Sequence, residues 1–311
     1  MSSRRSAVAD PGSLLPHLVL AAGVAVVSTA SILIRYALDE GAGSAAIAAL
    51  RLVFATVLLT PFALARCGRE IAALDRGTLG LALASGVVLA VHFATWIASL
   101  AHTSVAASAV LVTTNPIWVG LAAWLVLGEP VGRRGAIGIG LGMAGAVAVF
   151  LADGGGASGT SNALGNSLAL AGALAASGYL LIGRGVRARL SLTAYIWLVY
   201  GAAALTLTGF ALLQGSALTG LSWLAYGCIL AMAAGPQLIG HTTFNWAVRR
   251  LPAPTVAMAI LGEPVGAALL AWLLFDETAS PGQLAGFGLL LAGIYVTSRA
   301  EAGPQSPDED V

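Results

Sequence analysis

Glu263 is the only acidic residue well inside one of the long apolar stretches of this sequence. If that stretch crosses a membrane, a charged side chain at its centre costs about 2.5–3.5 kcal/mol on insertion scales, so it usually faces protein or a water-filled cavity. A carboxyl group in such a place is a candidate for coupling to protons or for binding a cation. The alternative is a hydrogen-bonded acid that supports the bend expected at Pro264. The residue types alone leave both alternatives open.

An upstream stretch has a polar and aromatic face. His92, Thr95, Trp96 and Ser99 are spaced i, i+3, i+4 and i+7, which places them on one side of an α-helix. Such a face is typical of a cavity wall, where Trp96 would stack on an apolar group or an organic cation. Packing against a neighbouring helix, with His92 hydrogen-bonded to it, would use the same face. We therefore treat His92 and Trp96 as candidates for lining a substrate cavity.

A second polar face is expected at Gln237, His241 and Asn245, which are spaced i, i+4 and i+8. Three polar side chains aligned in this way within lipid are expected to face inward. We predict that they line a cavity. Hydrogen bonding between helices, without contact to a substrate, is the alternative.

Arg51 lies about one and a half turns into another apolar stretch, counted at 3.6 residues per turn. It could bind a substrate carboxylate, or it could extend outward and pair with Asp39 or Glu40. We favour the second interpretation, in which Arg51 forms a salt bridge that gates the outer mouth of the protein.

The composition is that of an integral membrane protein. The chain has 311 residues, of which 58% are hydrophobic and 9% charged, and its mean hydropathy is +0.88. Soluble domains carry roughly 25% charged residues. The apolar runs are long enough for helices rather than for barrel strands. The net charge of +1 gives no reason to expect nucleic acid as a partner. The two cysteines, Cys67 and Cys228, have no metal or redox spacing and are expected to be apolar fillers.

Ten apolar segments predict an all-α protein with ten transmembrane helices. Segments 1 to 5 are 14–34, 45–65, 79–100, 105–127 and 136–151, and segments 6 to 10 are 164–182, 195–213, 223–248, 253–275 and 284–297. We expect residues 1–12 to form a cytoplasmic tail and residues 300–311 to form a disordered cytoplasmic tail.

Arginine is concentrated in alternate connections. The connections between segments 2 and 3, 4 and 5, 6 and 7, and 8 and 9 contain Arg66, Arg69, Arg76, Arg133, Arg134, Arg184, Arg187, Arg189, Arg249 and Arg250. The other connections contain one arginine, Arg35, which borders the end of segment 1, and those after segments 1, 5 and 9 contain acidic residues. The positive-inside rule then places both termini in the cytoplasm.

The two halves of the chain share a register of 148 residues, the separation of Pro116 and Pro264. The same offset relates Trp124 to Trp272, Glu129 to Glu277, Gly138 to Gly286, Gly140 to Gly288, and Gly145 to Gly293. We therefore predict two five-helix repeats, at residues 13–152 and 163–299. Because five is odd, the second repeat enters the membrane from the opposite side. This inverted topology is common in secondary transporters, whose substrate site lies near the midplane.

The paired prolines predict a kink at the same place in each repeat. Pro116 and Pro264 each lack a backbone N–H and so disturb a helix interior. Such kinks could hinge the two halves and expose backbone to a substrate, or they could only shape the bundle, which we favour. Asn115 takes the place of Glu263 in the first repeat, and we include it among the cavity candidates.

The order of these features resembles the EamA-like family of the drug/metabolite transporter superfamily. The stretches that resemble it are AALRLVFA around Arg51, ATWIASLAHTSVAASAVLVTTNPIWVGLAAWLVLGEP in segments 3 and 4, and FNWAVRRLPAPTVAMAILGEPVGAALLAWLLFDE in segments 8 and 9. The resemblance implies an exporter of small metabolites, such as amino acids or related compounds. It also implies a central cavity enclosed by segments 1, 3, 4, 6, 8 and 9, with segments 5 and 10 at the periphery. The chain departs from the pattern in having no counterpart of Arg51 in segment 7.

From the residues and the resemblance together we predict a secondary active transporter that works by alternating access. We expect it to be a multi-pass protein of a bacterial inner membrane, with a small-molecule substrate and no cofactor. The sequence does not determine its oligomeric state, and a monomer is compatible with it. The sequence contains no lysine and hence no Walker motif for ATP. A passive channel is one alternative. An intramembrane enzyme is another, but His92, His241 and Glu263 lack the short spacing of a metalloenzyme signature.

Overall fold

The computed structural model describes residues 14–103, 105–128, 131–152, 162–275 and 278–300. All regular structure in these ranges is helical. In the first half the helices are α1 Leu14–Val27, α2 Ala30–Asp39, α3 Ser44–Ala72, α4 Arg76–Ser99, α5 Val105–Val112, α6 Asn115–Leu127 and α7 Arg133–Ala152. In the second half they are α8 Asn162–Arg187, α9 Leu192–Leu213, α10 Trp223–Met232, α11 Thr242–Ala247, α12 Ala253–Ile260, α13 Glu263–Phe275 and α14 Pro281–Ala300, with a π-helical segment, Ala233–His241, between α10 and α11.

The chain is a multi-pass membrane protein. Eight helical stretches of the described ranges are long and apolar enough to cross a bilayer. Of two shorter apolar helices, Ser108–Ala122 lies within predicted segment 4, and Pro281–Thr297 covers predicted segment 10 and begins three residues before it. Glu129, Glu277, the predicted tails up to residue 12 and from residue 301, and residues 153–161 between the repeats lie outside the described residues.

Side-chain caps set the starts of three long helices. Asp75, Ser191 and Ser222 each accept a hydrogen bond from the backbone N–H three residues later, at 2.9, 3.3 and 3.0 Å. Each cap satisfies one of the four N–H groups that the first turn of a helix leaves unpaired. The helices of segments 3, 7 and 8 therefore begin at residues that the sequence itself specifies.

Segments 4 and 9 are each broken into two helices. The breaks lie at Thr113–Thr114, between α5 and α6, and at Leu261–Gly262, between α12 and α13. Pro116 and Pro264 were expected to kink continuous helices, but each is the second residue of a new helix. At that position the missing proline N–H has no intrahelical partner to lose.

The first break is held by the two threonines that precede Asn115. The hydroxyl of Thr113 donates to the carbonyl of Ala109, and that of Thr114 to the carbonyl of Leu111, both at 2.7 Å. The backbone N–H groups of Thr113 and Thr114 donate to the same two carbonyl groups, so each of these carbonyls accepts two hydrogen bonds where α5 ends. The break is thus an ordered structure whose backbone groups find partners within the same segment.

The helix boundaries keep the register of the sequence repeat. The starts of α6 and α13, Asn115 and Glu263, are 148 residues apart, and the same separation relates the starts of α7 and α14, Arg133 and Pro281. The repeat seen in a few residues therefore extends to the helices themselves.

Helices α7 and α14 pack closely and run in opposite directions. A methyl group on Gly145 would lie 2.6 Å from the carbonyl oxygen of Gly286, and one on Gly138 would lie 2.8 Å from that of Gly293. Residue numbers therefore rise along α7 as they fall along α14. Glycine at these positions lets the two backbones approach closely, as expected for small residues between membrane helices.

Candidate functional site

A cavity lies where the two broken segments meet the helices around them. Its lining residues come from segments 1, 3, 4, 6, 8 and 9, the six that the family resemblance implied. They are Val27, His92, Trp96, Val112, Thr113, Asn115, Ala176, Tyr179, Leu180, His241, Phe244, Ile260 and Glu263. Most of these side chains are apolar or aromatic, with a few polar groups among them, which is typical of a small-molecule site.

Glu263 lies at the break between α12 and α13 and is the acidic residue of the cavity. Within the described ranges, its carboxyl group has no hydrogen-bond partner, although its backbone oxygen accepts a bond from the Ser28 hydroxyl at 3.2 Å. It also lines a second, smaller cavity together with Trp96 and Thr113. The carboxyl group is therefore available to whatever occupies either space.

The two repeats hold each other's broken segments by equivalent contacts. The hydroxyl of Ser28, which lies between α1 and α2 in the first repeat, donates to the backbone carbonyl of Glu263 in the second repeat. Ser177 of α8, in the second repeat, donates to the Asn115 carbonyl in the first, at 3.4 Å. Asn115 and Glu263 are repeat counterparts, so each half contributes a hydroxyl to the helix break of the other.

Aromatic rings form one wall of the cavity. The rings of His92 and Trp96 stack with 5.9 Å between centroids and 12° between planes. The His241 ring lies 6.4 Å from that of His92 and 5.6 Å from that of Phe244. The structure places His92 and Trp96, two residues of the predicted face of segment 3, on the wall of this cavity.

The other two residues of that predicted face do not line the cavity. The Ser99 hydroxyl donates to the Trp96 carbonyl at 2.6 Å and also pairs with Ser108. The Thr95 hydroxyl donates to the carbonyl of Val91 at 2.7 Å. Both hydroxyl groups thus form their hydrogen bonds within α4 and to α5, and not with the cavity.

His92 is fixed by a neighbouring helix. Its Nδ1 lies 2.9 Å from the carbonyl oxygen of Gly172 in α8. Because a carbonyl can only accept, Nδ1 carries the hydrogen, and Nε2 of the neutral ring is a hydrogen-bond acceptor.

Of the three residues predicted on segment 8, the structure places His241 on the cavity. Gln237 is fully buried away from the lining, because the backbone from Ala233 to His241 is π-helical and the i, i+4 rule of an α-helix does not apply there. Asn245, in α11, is also fully buried and does not line the cavity. The side-chain amide of Asn245 donates instead to the Tyr179 hydroxyl and to the His241 carbonyl, the latter at 2.8 Å.

The predicted salt bridge of Arg51 with Asp39 or Glu40 is wrong. Arg51 is fully buried, and its Nε donates to Oε1 of Gln237 at 3.0 Å. Its guanidinium group lies over the ring of Phe93, 4.3 Å from the centroid. The arginine is directed inward because a ring face and an amide compensate its burial.

Several lining residues were not anticipated, among them Phe244, Tyr179 and Thr113. Phe244 could have been found, since it lies 148 residues after Trp96 and is its counterpart in the repeat. Tyr179 is a single aromatic in segment 6, and no spacing in the sequence distinguishes it from a packing residue.

The fold is shared with solved structures. One of them, described only as the crystal structure of a protein, superimposes with a TM-score of 0.76 and 18% sequence identity, covering 93% of this chain and 98% of its own. No curated protein matches the sequence. The family model of the EamA-like transporter family matches residues 14–151 and 163–299, which is nearly the whole described chain. The chain therefore belongs to the EamA-like transporter family.

Proposed function

We propose that the protein is a secondary active transporter that exports small metabolites by alternating access. The observation that carries this proposal is the position of the cavity. It lies at the two equivalent helix breaks, with Asn115 from one repeat and Glu263 from the other on its wall. A site shared between two repeats can face either side when one repeat moves against the other.

The helix arrangement supports ten spans in two inverted repeats. Helices α7 and α14 are repeat counterparts, and they pack antiparallel. Counterparts that run in opposite directions are what an inverted repeat requires. The alternating arginine-rich connections then favour a cytoplasmic location for both termini in a bacterial inner membrane.

The carboxyl group of Glu263 is suited to couple transport to the movement of protons or to the exchange of a cation. An unpaired carboxyl group on a cavity within the membrane can take up a proton or a cation and release it on the other side. The breaks at Leu261–Gly262 and at Thr113–Thr114 place non-helical backbone beside the same space, as in other transporters with discontinuous helices.

Flux from reconstituted vesicles tests the proposal. Vesicles would be loaded with a mixture of amino acids, amines, nucleosides and vitamins, and their contents followed by mass spectrometry against protein-free vesicles. We expect selective and saturable loss of one class of compound. Non-saturating loss would identify a channel, and chemical conversion of a compound without loss would identify an enzyme.

A matched pair of tryptophans links the flux to the cavity. Trp96→Ala removes a stacked ring from the wall, and we expect the rate to fall about tenfold or more. Trp223→Ala is the control, because Trp223 is 92% exposed at the start of α10 and is expected to leave the rate unchanged. Equal transport rates for both variants would show that transport does not pass through this cavity.

Glu263→Gln tests the coupling role. The variant should respond equally with and without an imposed pH gradient, whereas the unchanged protein should respond to the gradient. Glu40→Gln, at the exposed end of α2, is the control and should keep the response. A gradient response that survives in Glu263→Gln would assign coupling to another group.

A further inference from the structure

The charged and polar groups of the cavity indicate the class of its substrate. We propose that the cavity binds a primary amine that carries an aromatic or other flat apolar group and no carboxylate. This inference rests on the proposed function, because it names the substrate of the same cavity.

Glu263 supplies the negative charge. Its carboxyl group borders both cavity spaces and, in the described part of the chain, has no hydrogen-bond partner. None of the residues that line the main cavity is arginine or lysine. A carboxylate in such surroundings is stabilised by a ligand that provides the opposite charge and hydrogen-bond donors together.

Two further acceptors line the same cavity. Oδ1 of Asn115 is buried and has no partner among the described residues. Nε2 of His92 is an acceptor because Nδ1 donates to Gly172. A primary ammonium group has three N–H donors. It matches a carboxylate with neighbouring acceptors, whereas a quaternary ammonium group has the charge without any donor.

The aromatic wall suits the rest of such a ligand. The stacked His92 and Trp96 rings, with Phe244 and Tyr179, give a largely apolar lining beside the carboxyl group. Ring faces attract a nearby cation and also pack against a flat apolar group. One end of the ligand is thus recognised by charge and the other by shape.

Arg51 argues against an amino acid. It is fully buried and interacts electrostatically with Glu263, but its guanidinium group is stacked on Phe93 and bonded to Gln237, and it does not line the cavity. A substrate carboxylate beside Glu263 would therefore find no cationic partner in the lining, and two such charges repel each other in an apolar site.

Four ligands with one common phenylethyl group test the inference. Binding to the purified full chain would be measured by isothermal titration calorimetry with phenethylamine, phenylalanine, 2-phenylethanol and trimethyl(2-phenylethyl)ammonium. We expect phenethylamine to bind about thirtyfold or more tightly than phenylalanine and the alcohol, because only the amine pairs with Glu263 without adding a carboxylate. The trimethylated ligand should bind more weakly than phenethylamine, because it lacks donors.

Two variants assign the binding to named groups. Glu263→Gln should weaken phenethylamine binding about thirtyfold or more. Asn115→Ala should weaken the binding of phenethylamine but not that of the trimethylated ligand, because only the former can donate to Oδ1. The Asn115 comparison is made within one variant, so it stands even if Glu263→Gln does not fold. Glu40→Gln serves as the control with unchanged binding.

The inference is overturned if phenylalanine or the alcohol binds as tightly as phenethylamine, if phenethylamine does not bind, or if folded Glu263→Gln binds it unchanged. Its failure can be told apart from that of the proposed function. Selective amine binding without flux would support the inference and overturn transport. Saturable flux of phenylalanine without amine binding would do the reverse.

Discussion

Arg51 shows how far residue types alone determine the site. A charged group is costly within a membrane, so the sequence favoured an outward salt bridge for Arg51 and an inward position for Glu263. Only the second is found. The burial of Arg51 depends on the Phe93 ring and on Gln237, which is 186 residues away in the chain. No local pattern connects residues so distant, whereas the position of Glu263 follows from its own apolar neighbours.

Gln237→Leu should destabilise the protein by removing the acceptor of Arg51 Nε. Both Nη atoms of Arg51 are already without a partner among the described residues, so the variant would leave the whole guanidinium group unsatisfied. We expect a loss of about 1–3 kcal/mol in the free energy of unfolding, the usual cost of an unsatisfied buried donor. Denaturation monitored by circular dichroism in detergent would measure it.

A second substitution separates the polar contact from packing. Combining Arg51→Met with Gln237→Leu replaces both groups by apolar ones, and stability should return to within about 1 kcal/mol of the original. Gln214→Leu, at the exposed end of α9, controls for the loss of an amide. A double variant less stable than Gln237→Leu would show that the arginine stabilises the core in another way.

At the scale of the elements, the sequence predicted the helices well and their interruptions poorly. Helices of the described ranges coincide with all ten apolar segments, eight of them long enough to cross a bilayer, and the prolines indicated where segments 4 and 9 are disturbed. The π-helical segment Ala233–His241 was missed although it contains Pro236 and two glycines, residues that disturb a regular α-helix. The placement of Gln237 on the cavity was wrong because face assignments assume 3.6 residues per turn.

The contact between α7 and α14 predicts opposite effects for two neighbouring glycines. In Gly145→Ala the new methyl group would lie 2.6 Å from backbone atoms of Gly286 and Leu290, so the helices must separate. We expect a loss of about 1–3 kcal/mol in unfolding free energy, as in overpacked cores. Gly140→Ala is the matched control on the same helix, since its methyl group would meet nothing within 4 Å.

In Gly140→Ala the helix should gain about 0.5–1 kcal/mol, because alanine loses less conformational entropy than glycine. Thermal unfolding of the two variants side by side gives the comparison. Equal stability for both would show that α7 and α14 do not pack through Gly145 in the membrane.

For the whole molecule, the offset of 148 residues was the most informative feature of the sequence. It predicted the division of the chain into two halves and matched almost every helix of one half with its counterpart in the other. It could not predict the differences between the halves. Segment 1 is broken after Val27 while α8 is continuous, and α4 is regular while segment 8 contains a π-helical turn. The second difference has a local cause, because Pro236 in the π-helical segment corresponds to Val88 in α4 and proline disturbs a regular α-helix.

The inverted topology predicts that equivalent connections lie on opposite sides of the membrane. Ala73, between α3 and α4, and Thr219, between α9 and α10, are exposed and occupy corresponding places in the two repeats. After Cys67 and Cys228 are replaced by alanine, Thr219→Cys should react with a membrane-impermeant maleimide in intact cells. Ala73→Cys should react only after permeabilisation. Labelling of both from the same side would contradict the inverted repeat.

The contact between Arg51 and Gln237 also has a consequence for kinetics. The repeat counterparts of these residues are Val199 and Leu89, so this polar contact between the two halves has no polar equivalent at the corresponding positions. If the halves exchange conformations during a cycle, the two facing states cannot be equal in energy, because only one of them retains this contact. We therefore expect kinetic asymmetry: maximal rates measured from the two sides, each with substrate on that side only, should differ.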